Sequence, residues 1–231
     1  MKTVLITGAS RGIGLEHARR FAAKGAHVFA AVRTPTEAKE LQALAAGKNV
    51  RVEILAYDAT DAGAPGRLKT ALGNAPLDLL FANAGEIGDK TTPLGSIDAE
   101  GVLKLINVNA LAPLKLVEAL TDNVAASDRK IIAFQSSRLG SIGDNSAGGH
   151  YPYRISKCVV NMIAKNIAVD LKPRGVIAVA LHPGWVRTRM GGESAPVSID
   201  ESVTGQQRLL ANLTLDESGK FFNYDGTEIP W

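Results

Sequence analysis

The sequence predicts an α/β fold, a doubly wound parallel sheet with helices on both faces, and three observations predict it. Short, near-continuous apolar runs alternate with helix-length amphipathic stretches along the 231 residues, the pattern of strands buried on both sides. The first run, Thr3 to Ile6, passes through a turn with glycine at 8, 12 and 14 straight into a helix, which is how a βαβ unit opens. No fixed-period repeat and no low-complexity linker divides the chain, so residues 1–231 read as one domain.

The elements follow in order. Ile13 to Lys24 has apolar residues at helical spacing, Ala26 to Val32 is a second strand, and Thr36 to Ala46 is a helix with Thr34 as N-cap and Pro35 at its first position. Val50 to Ala56 alternates and then turns apolar, as a third strand does. Asp61 to Leu72 is helical with a first turn weakened by Gly63, Pro65 and Gly66. Leu77 to Ala82 is a fourth strand, Asp98 to about Ala125 a long helical zone, and Lys130 to Phe134 a fifth strand. Residues 138–150 are loop, Tyr153 to Leu171 is a helix stopped by Pro173 and Gly175, and Val176 to Leu181 is a sixth strand. Ligands of such sheets lie beyond the C-terminal strand ends. That places Gly8–Gly14, Arg33, Asp58, Asn83–Gly85, Gln135–Ser137 and Pro183–Val186 around one crevice.

Composition narrows the class. A hydrophobic share of 45% and a charged share of 21% are those of a soluble globular chain. The net charge of +3 comes from scattered residues with no basic run, so no nucleic-acid partner is expected. The one cysteine, Cys158, excludes an internal disulfide framework and fits a reducing, cytoplasmic compartment. No signal-peptide pattern opens the chain and no apolar run is as long as a membrane span. His17, His27, His150 and His182 lack metal-ligand spacing, so no metal is expected.

Two motifs carry chemistry. Glycines in the first turn let the backbone approach a pyrophosphate, and the free N–H groups of the helix that follows bind its charge. Its spacing, G-x-x-x-G-x-G, differs from the usual G-x-G-x-x-G fingerprint and is compatible with a ligand-free turn as well. Tyr153 and Lys157 stand at i and i+4, on one helix face. A nearby ammonium favours the phenolate, which would fit a tyrosine for proton transfer near neutral pH. Such a pair also occurs by chance on helices.

Taken together, Thr7-Gly-Ala-Ser-Arg-Gly-Ile-Gly14, Asp58, Asn83-Ala-Gly85, Asn109, Ser136-Ser137, Tyr153-x-x-x-Lys157 and Pro183-Gly-Trp-Val-Arg-Thr188 resemble the short-chain dehydrogenase/reductase family over essentially the whole chain. The resemblance implies a Rossmann-type sheet and a homodimer or homotetramer. It implies Tyr153 as general acid/base, Lys157 lowering its pKa and binding the nicotinamide ribose, Ser137 bonding the substrate oxygen, and Asn109 holding a relay water. It implies cofactor contacts from Gly8, Ser10, Arg11, Gly12, Ile13 and Gly14, from Arg33, Asp58 and Ala59, and from Asn83, Ala84 and Gly85. Pro183, Gly184, Val186 and Thr188 complete that set. Residues 185–218 correspond to a substrate lid.

One departure stands out. The family's usual serine position falls here on Gly140, and Ser137 lies three residues earlier, with Ser141 as the other candidate. The longer loop, with Gly140 to Asn145 and the tail Asp225 to Trp231, is similar to the C-factor and Sniffer-type carbonyl reductase subgroup. Residues 30–34 contain no carboxylate for the ribose hydroxyls, whereas Arg33 and Arg11 suit a 2′-phosphate. The expectation is therefore NADP(H) and the reduction of a small, mainly apolar carbonyl compound, reversible as alcohol oxidation. The alternative is a dinucleotide-binding regulatory protein with little turnover.

Overall fold

The computed structural model describes residues 1–89 and 93–231. Seven strands, β1 (Thr3–Thr7), β2 (His27–Val32), β3 (Arg51–Ala56), β4 (Leu79–Ala82), β5 (Ile131–Gln135), β6 (Ile177–His182) and β7 (Phe221–Asn223), form one parallel sheet in the order β3-β2-β1-β4-β5-β6-β7. The helices are α1 (Gly12–Ala23), α2 (Lys39–Ala45), α3 (Ala64–Leu72), α4 (Ala99–Ile106), α5 (Ala112–Ala125), α6 (Tyr151–Asp170) and α7 (Ile199–Asn212).

Alternation along each strand splits the core between the two faces. Leu5, Ile132, Phe134 and Ala180 pack with Leu68 of α3, Leu116 and Leu120 of α5 and Val160 and Ile163 of α6. Val4, Ile6, Ile131, Val179 and Leu181 pack with Leu15 and Phe21 of α1, Leu41 of α2 and Leu210 of α7. Full burial of one such side chain contributes about 2 kcal/mol, so the sheet is held by many comparable contacts on both sides. The chain reverses direction across the sheet between β1 and β4, and in such a fold the crevice at that point receives the ligand.

Three local departures from the sequence expectation have identifiable causes. The helix expected over 36–46 is a 3₁₀ turn at Pro35–Glu37 followed by α2, because Ala38 leaves helical backbone at ψ 58°. Thr34 makes no side-chain cap bond among the described residues. The long helical zone begins at Asp98, whose carboxylate accepts from Glu100 N and Gly101 N, both at 3.1 Å. It then widens into a π turn at Asn107–Leu111 before α5. Pro113 explains the widening: its ring crowds the carbonyl four residues back, that of Asn109, and it has no N–H to donate to it.

The third departure is α7 and β7, which no apolar pattern announced. Of the expected lid at 185–218, residues 199–212 form α7, with Val203, Gln206 and Leu210 buried. Residues 185–198 are loop, joined by a bridge between Val186 and Val197, and 213–218 hold a 3₁₀ turn at Leu215–Glu217.

Candidate active site

The crevice is built from strand ends. Thr7 at the end of β1 accepts on Oγ1 from Asn83 N and Ala84 N, both at 3.0 Å, and Asn83 Nδ2 donates to Thr7 O at 2.9 Å. These bonds lock the turn after β1 to the loop after β4. The first turn of α1 must run against that floor. A Cβ on Gly14 would lie 2.4 Å from Gly8 O, so no larger residue fits there. Among the described residues α1 has no side-chain cap and no acid in its first turn, which leaves its N–H groups available to an anion. Ser10, Arg11, Gly12 and Ile13 complete the turn, with Arg11 exposed.

Gly85 brings the second group into the crevice, since a Cβ there would stand 3.1 Å from Asn109 Oδ1 and 3.5 Å from Lys157 Nζ. Lys157, only 4% exposed, donates from Nζ to Gln135 O at 2.7 Å and sits 5.7 Å from the ring centroid of Tyr153. Tyr153 keeps part of its surface open while its hydroxyl is desolvated. Burial pushes the phenol up to about 12 against the opposing effect of its hydrogen bond with Ser137. Burial also lowers the Lys157 ammonium to about 8. Loss of hydration is the largest influence on both groups.

The two candidate serines have different partners. Ser137, at the end of β5, is bonded to Tyr153 and accepts from Leu139 N at 3.2 Å. Ser141 donates to Pro230 O at 2.5 Å and accepts from Asp144 N at 3.0 Å. With Gly143 N donating to Trp231 O at 2.8 Å and Trp231 stacked on Phe221 at 5.7 Å, Ser141 belongs to a buttress between the 138–145 loop and the chain's final residues. The carboxamide of Asn109 is fully engaged with protein: Oδ1 accepts from Glu86 N at 2.8 Å, and Nδ2 donates to Glu86 O at 2.8 Å and Ser156 Oγ at 3.0 Å.

The outer positions lie where the sequence pattern put them. Arg33 and Asp58 follow β2 and β3, and Ala59 packs against the core. Two Thr60 hydrogen bonds hold the Asp58 carboxyl below its ordinary range, and Arg33 adds to the effect. Past β6, Thr188 reaches the glycine turn, its Cγ2 lying 3.7 Å from where a Gly12 Cβ would be. Val186 is buried. In the loop after β4, residues 90–92 lie outside the described residues.

Sequence reading placed Gln135 at the crevice without a role and missed Glu86 and Ser156. Gln135 anchors Lys157 through its carbonyl, and its buried Oε1 has no partner among the described residues. Glu86 is the backbone that Asn109 clamps, and Ser156, inside the Tyr153–Lys157 segment, ties α6 to Asn109. Only Ser156 lay within a recognisable motif.

A glycine cradle at a helix N-terminus, adjoining a hydroxyl pair and a buried ammonium, suits a dinucleotide and proton exchange with an oxygen beside it. Comparison with known proteins agrees. Residues 2–197 match the short chain dehydrogenase family. The chain is 39% identical over 162 residues to the C-signal of Myxococcus xanthus, covering 70% of this chain and 97% of that one. Among solved structures it is similar to the carbonyl reductase Sniffer of D. melanogaster, with a TM-score of 0.92, 33% identity and 100% of both chains covered. It is also similar to an NADPH-bound carbonyl reductase from chicken fatty liver, with a TM-score of 0.91, 32% identity and coverage of 100% and 99%.

Proposed function

The chain belongs to the short-chain dehydrogenase family, and from that premise we propose that it is an NADPH-dependent reductase of small, mainly apolar carbonyl compounds, reversible as an alcohol dehydrogenase. The single observation that carries the reading is the meeting of Ser137, Tyr153 and Lys157 beside the glycine cradle. A module that only binds a dinucleotide has no use for that group.

The cradle after β1, Asn83 to Gly85 and the segment from Pro183 to Thr188 would hold the dinucleotide. Arg33 and Arg11 would meet its 2′-phosphate, and Asp58 with Ala59 would border the adenine. When bound, the reduced nicotinamide supplies hydride to the carbonyl carbon. Ser137 orients the substrate oxygen, and Tyr153, protonated at neutral pH, gives that oxygen its proton. Lys157 stabilises the phenolate left behind, and Asn109 holds the β4 loop and α6 together so that the proton can be replaced.

Exposed Ile142, Trp185 and Met190 on the loops after β5 and β6 support an apolar substrate, and residues 185–198 would cover it. Ile155, Met162 and Val169 are exposed along α6, and this apolar stripe supports a homodimer or homotetramer. A single cysteine fits the cytoplasm. Among the described residues no helix is long and apolar enough to cross a membrane.

The test is the loss of nicotinamide absorbance with NADPH or NADH across ketones, aldehydes, diketones and quinones, with Tyr153→Phe alongside. Turnover with NADPH that falls about a thousandfold in the variant, at NADPH affinity within about twofold of wild type, is expected. A variant that keeps most of its kcat removes Tyr153 from proton transfer. Tight NADPH binding with no turnover across the panel favours the regulatory reading.

A further inference from the structure

We propose that Ser202, on α7, is a positioning residue for the Pro183–Gly184 turn and through it for the nicotinamide half of the dinucleotide; this rests on the cofactor reading above. Ser202 is 0% exposed. Its hydroxyl donates to Pro183 O at 2.6 Å and accepts from Gln206 Nε2 at 3.0 Å. The strand β6 ends at His182, so the Pro183 carbonyl lies beyond the sheet ladder and takes its hydrogen bond from α7 instead.

The placement is costly, which makes it informative. Helix α7 turns Ser202, Gln206 and Gln207 into the interior, and polar groups removed from water destabilise unless their bonds are made. An apolar face would serve packing alone equally well. The chain Gln206 to Ser202 to Pro183 O gives the turn a fixed direction that packing cannot give.

The turn is also gripped from its other side. Gly184 has φ +85°, and a Cβ there would stand 3.0 Å from the Tyr224 ring and 3.2 Å from Val197 Cγ2. Tyr224 is itself held by its hydroxyl donating to Glu201 Oε1 at 2.9 Å, one residue before Ser202. Freed from Ser202, the carbonyl can rotate, and the rotation carries Val186 and Thr188 with it. The glycine turn and Arg33 make no hydrogen bond to Ser202 and stay in place.

Ser202→Ala separates the two halves of the site. NADPH is expected to bind about tenfold more weakly, while adenosine 2′,5′-bisphosphate, which lacks the nicotinamide half, binds within about twofold of wild type. Ser202→Cys keeps the volume with a weaker donor and is expected to lose NADPH affinity several-fold at an unchanged Tm; it serves if the alanine variant does not fold. Equal weakening of both ligands, or of neither, overturns the positioning role. A wild type that binds neither ligand overturns the dinucleotide reading and this inference with it, whereas a wild type that binds NADPH beside an unaffected Ser202→Ala overturns this inference alone.

Discussion

Lys157 donates to the main-chain carbonyl of Gln135 at 2.7 Å, so the buried ammonium is held at the end of β5, 5.7 Å from the centroid of the Tyr153 ring. The bond ties the charge to the backbone of the sheet. It also places two groups with oppositely shifted acidities side by side: a phenol at about 12 and an ammonium at about 8.

The pH dependence follows from those values. Reduction needs the phenol protonated, which it is throughout the neutral range, and needs the ammonium charged, which it ceases to be as pH rises through about 8. We expect kcat/KM for reduction, which reports the free enzyme, to fall above about pH 8. Lys157→Arg keeps its charge at any working pH, so its lower activity should persist to higher pH. A limb at the same pH in that variant would assign the titration elsewhere.

The serines should separate by kind of damage. Ser137→Ala removes the hydroxyl bonded to Tyr153, and kcat is expected to fall about a hundredfold with little change in Tm. Ser141→Ala leaves Asp144 N and Pro230 O without a partner and is expected to cost about 1–2 kcal/mol of stability, with kcat within a few-fold of wild type. Steady-state kinetics and chemical denaturation of both variants check this.

Arg33→Asp reverses the charge at the end of β2. We expect discrimination for NADPH over NADH to drop by about tenfold to a hundredfold, read as the ratio of the two kcat/KM values. Unchanged discrimination would remove Arg33 from the 2′-phosphate site.

His17 offers a test of stability. It is 0% exposed, neither ring nitrogen has a hydrogen-bond partner among the described residues, and burial lowers its pKa to about 3. Because the unfolded chain binds this proton from about pH 6.5 downward and the folded chain does not, the native state loses stability as pH falls from about 6.5 towards 3. His17→Leu should flatten that part of the profile and be neutral or stabilising at pH 7; denaturant midpoints across the range decide it.

How much of this was legible in the sequence depends on the kind of signal each part leaves. Strands β1 to β6 lie within two residues of their expected bounds, since the central strands are apolar runs buried on both faces and the half-exposed edge strand β3 alternates apolar with polar residues. Helix α7 escaped because Ser202, Gln206 and Gln207 break the apolar stripe on the very face that is buried, and β7 is a run of only three residues. Tyr153 and Lys157 were readable as one helix face. The choice between Ser137 and Ser141 was not, because it depends on Pro230, which is distant in sequence and adjacent only once folded. The grip of Asn109 on Glu86 is of the same type.

The sheet order has a consequence during synthesis. β1 is made first, yet it pairs with β2 on one side and β4 on the other. A nascent chain can zip β1, β2 and β3 together as soon as residue 56 clears the ribosome, and that ribbon then shows the bare edge of Val4 to Ile6 to its surroundings. Only when Leu79–Ala82 arrives is the edge covered. That interval, in which a strand with the apolar centre Val4 to Ile6 waits for its second neighbour, is when the chain is most open to joining a like edge on another molecule.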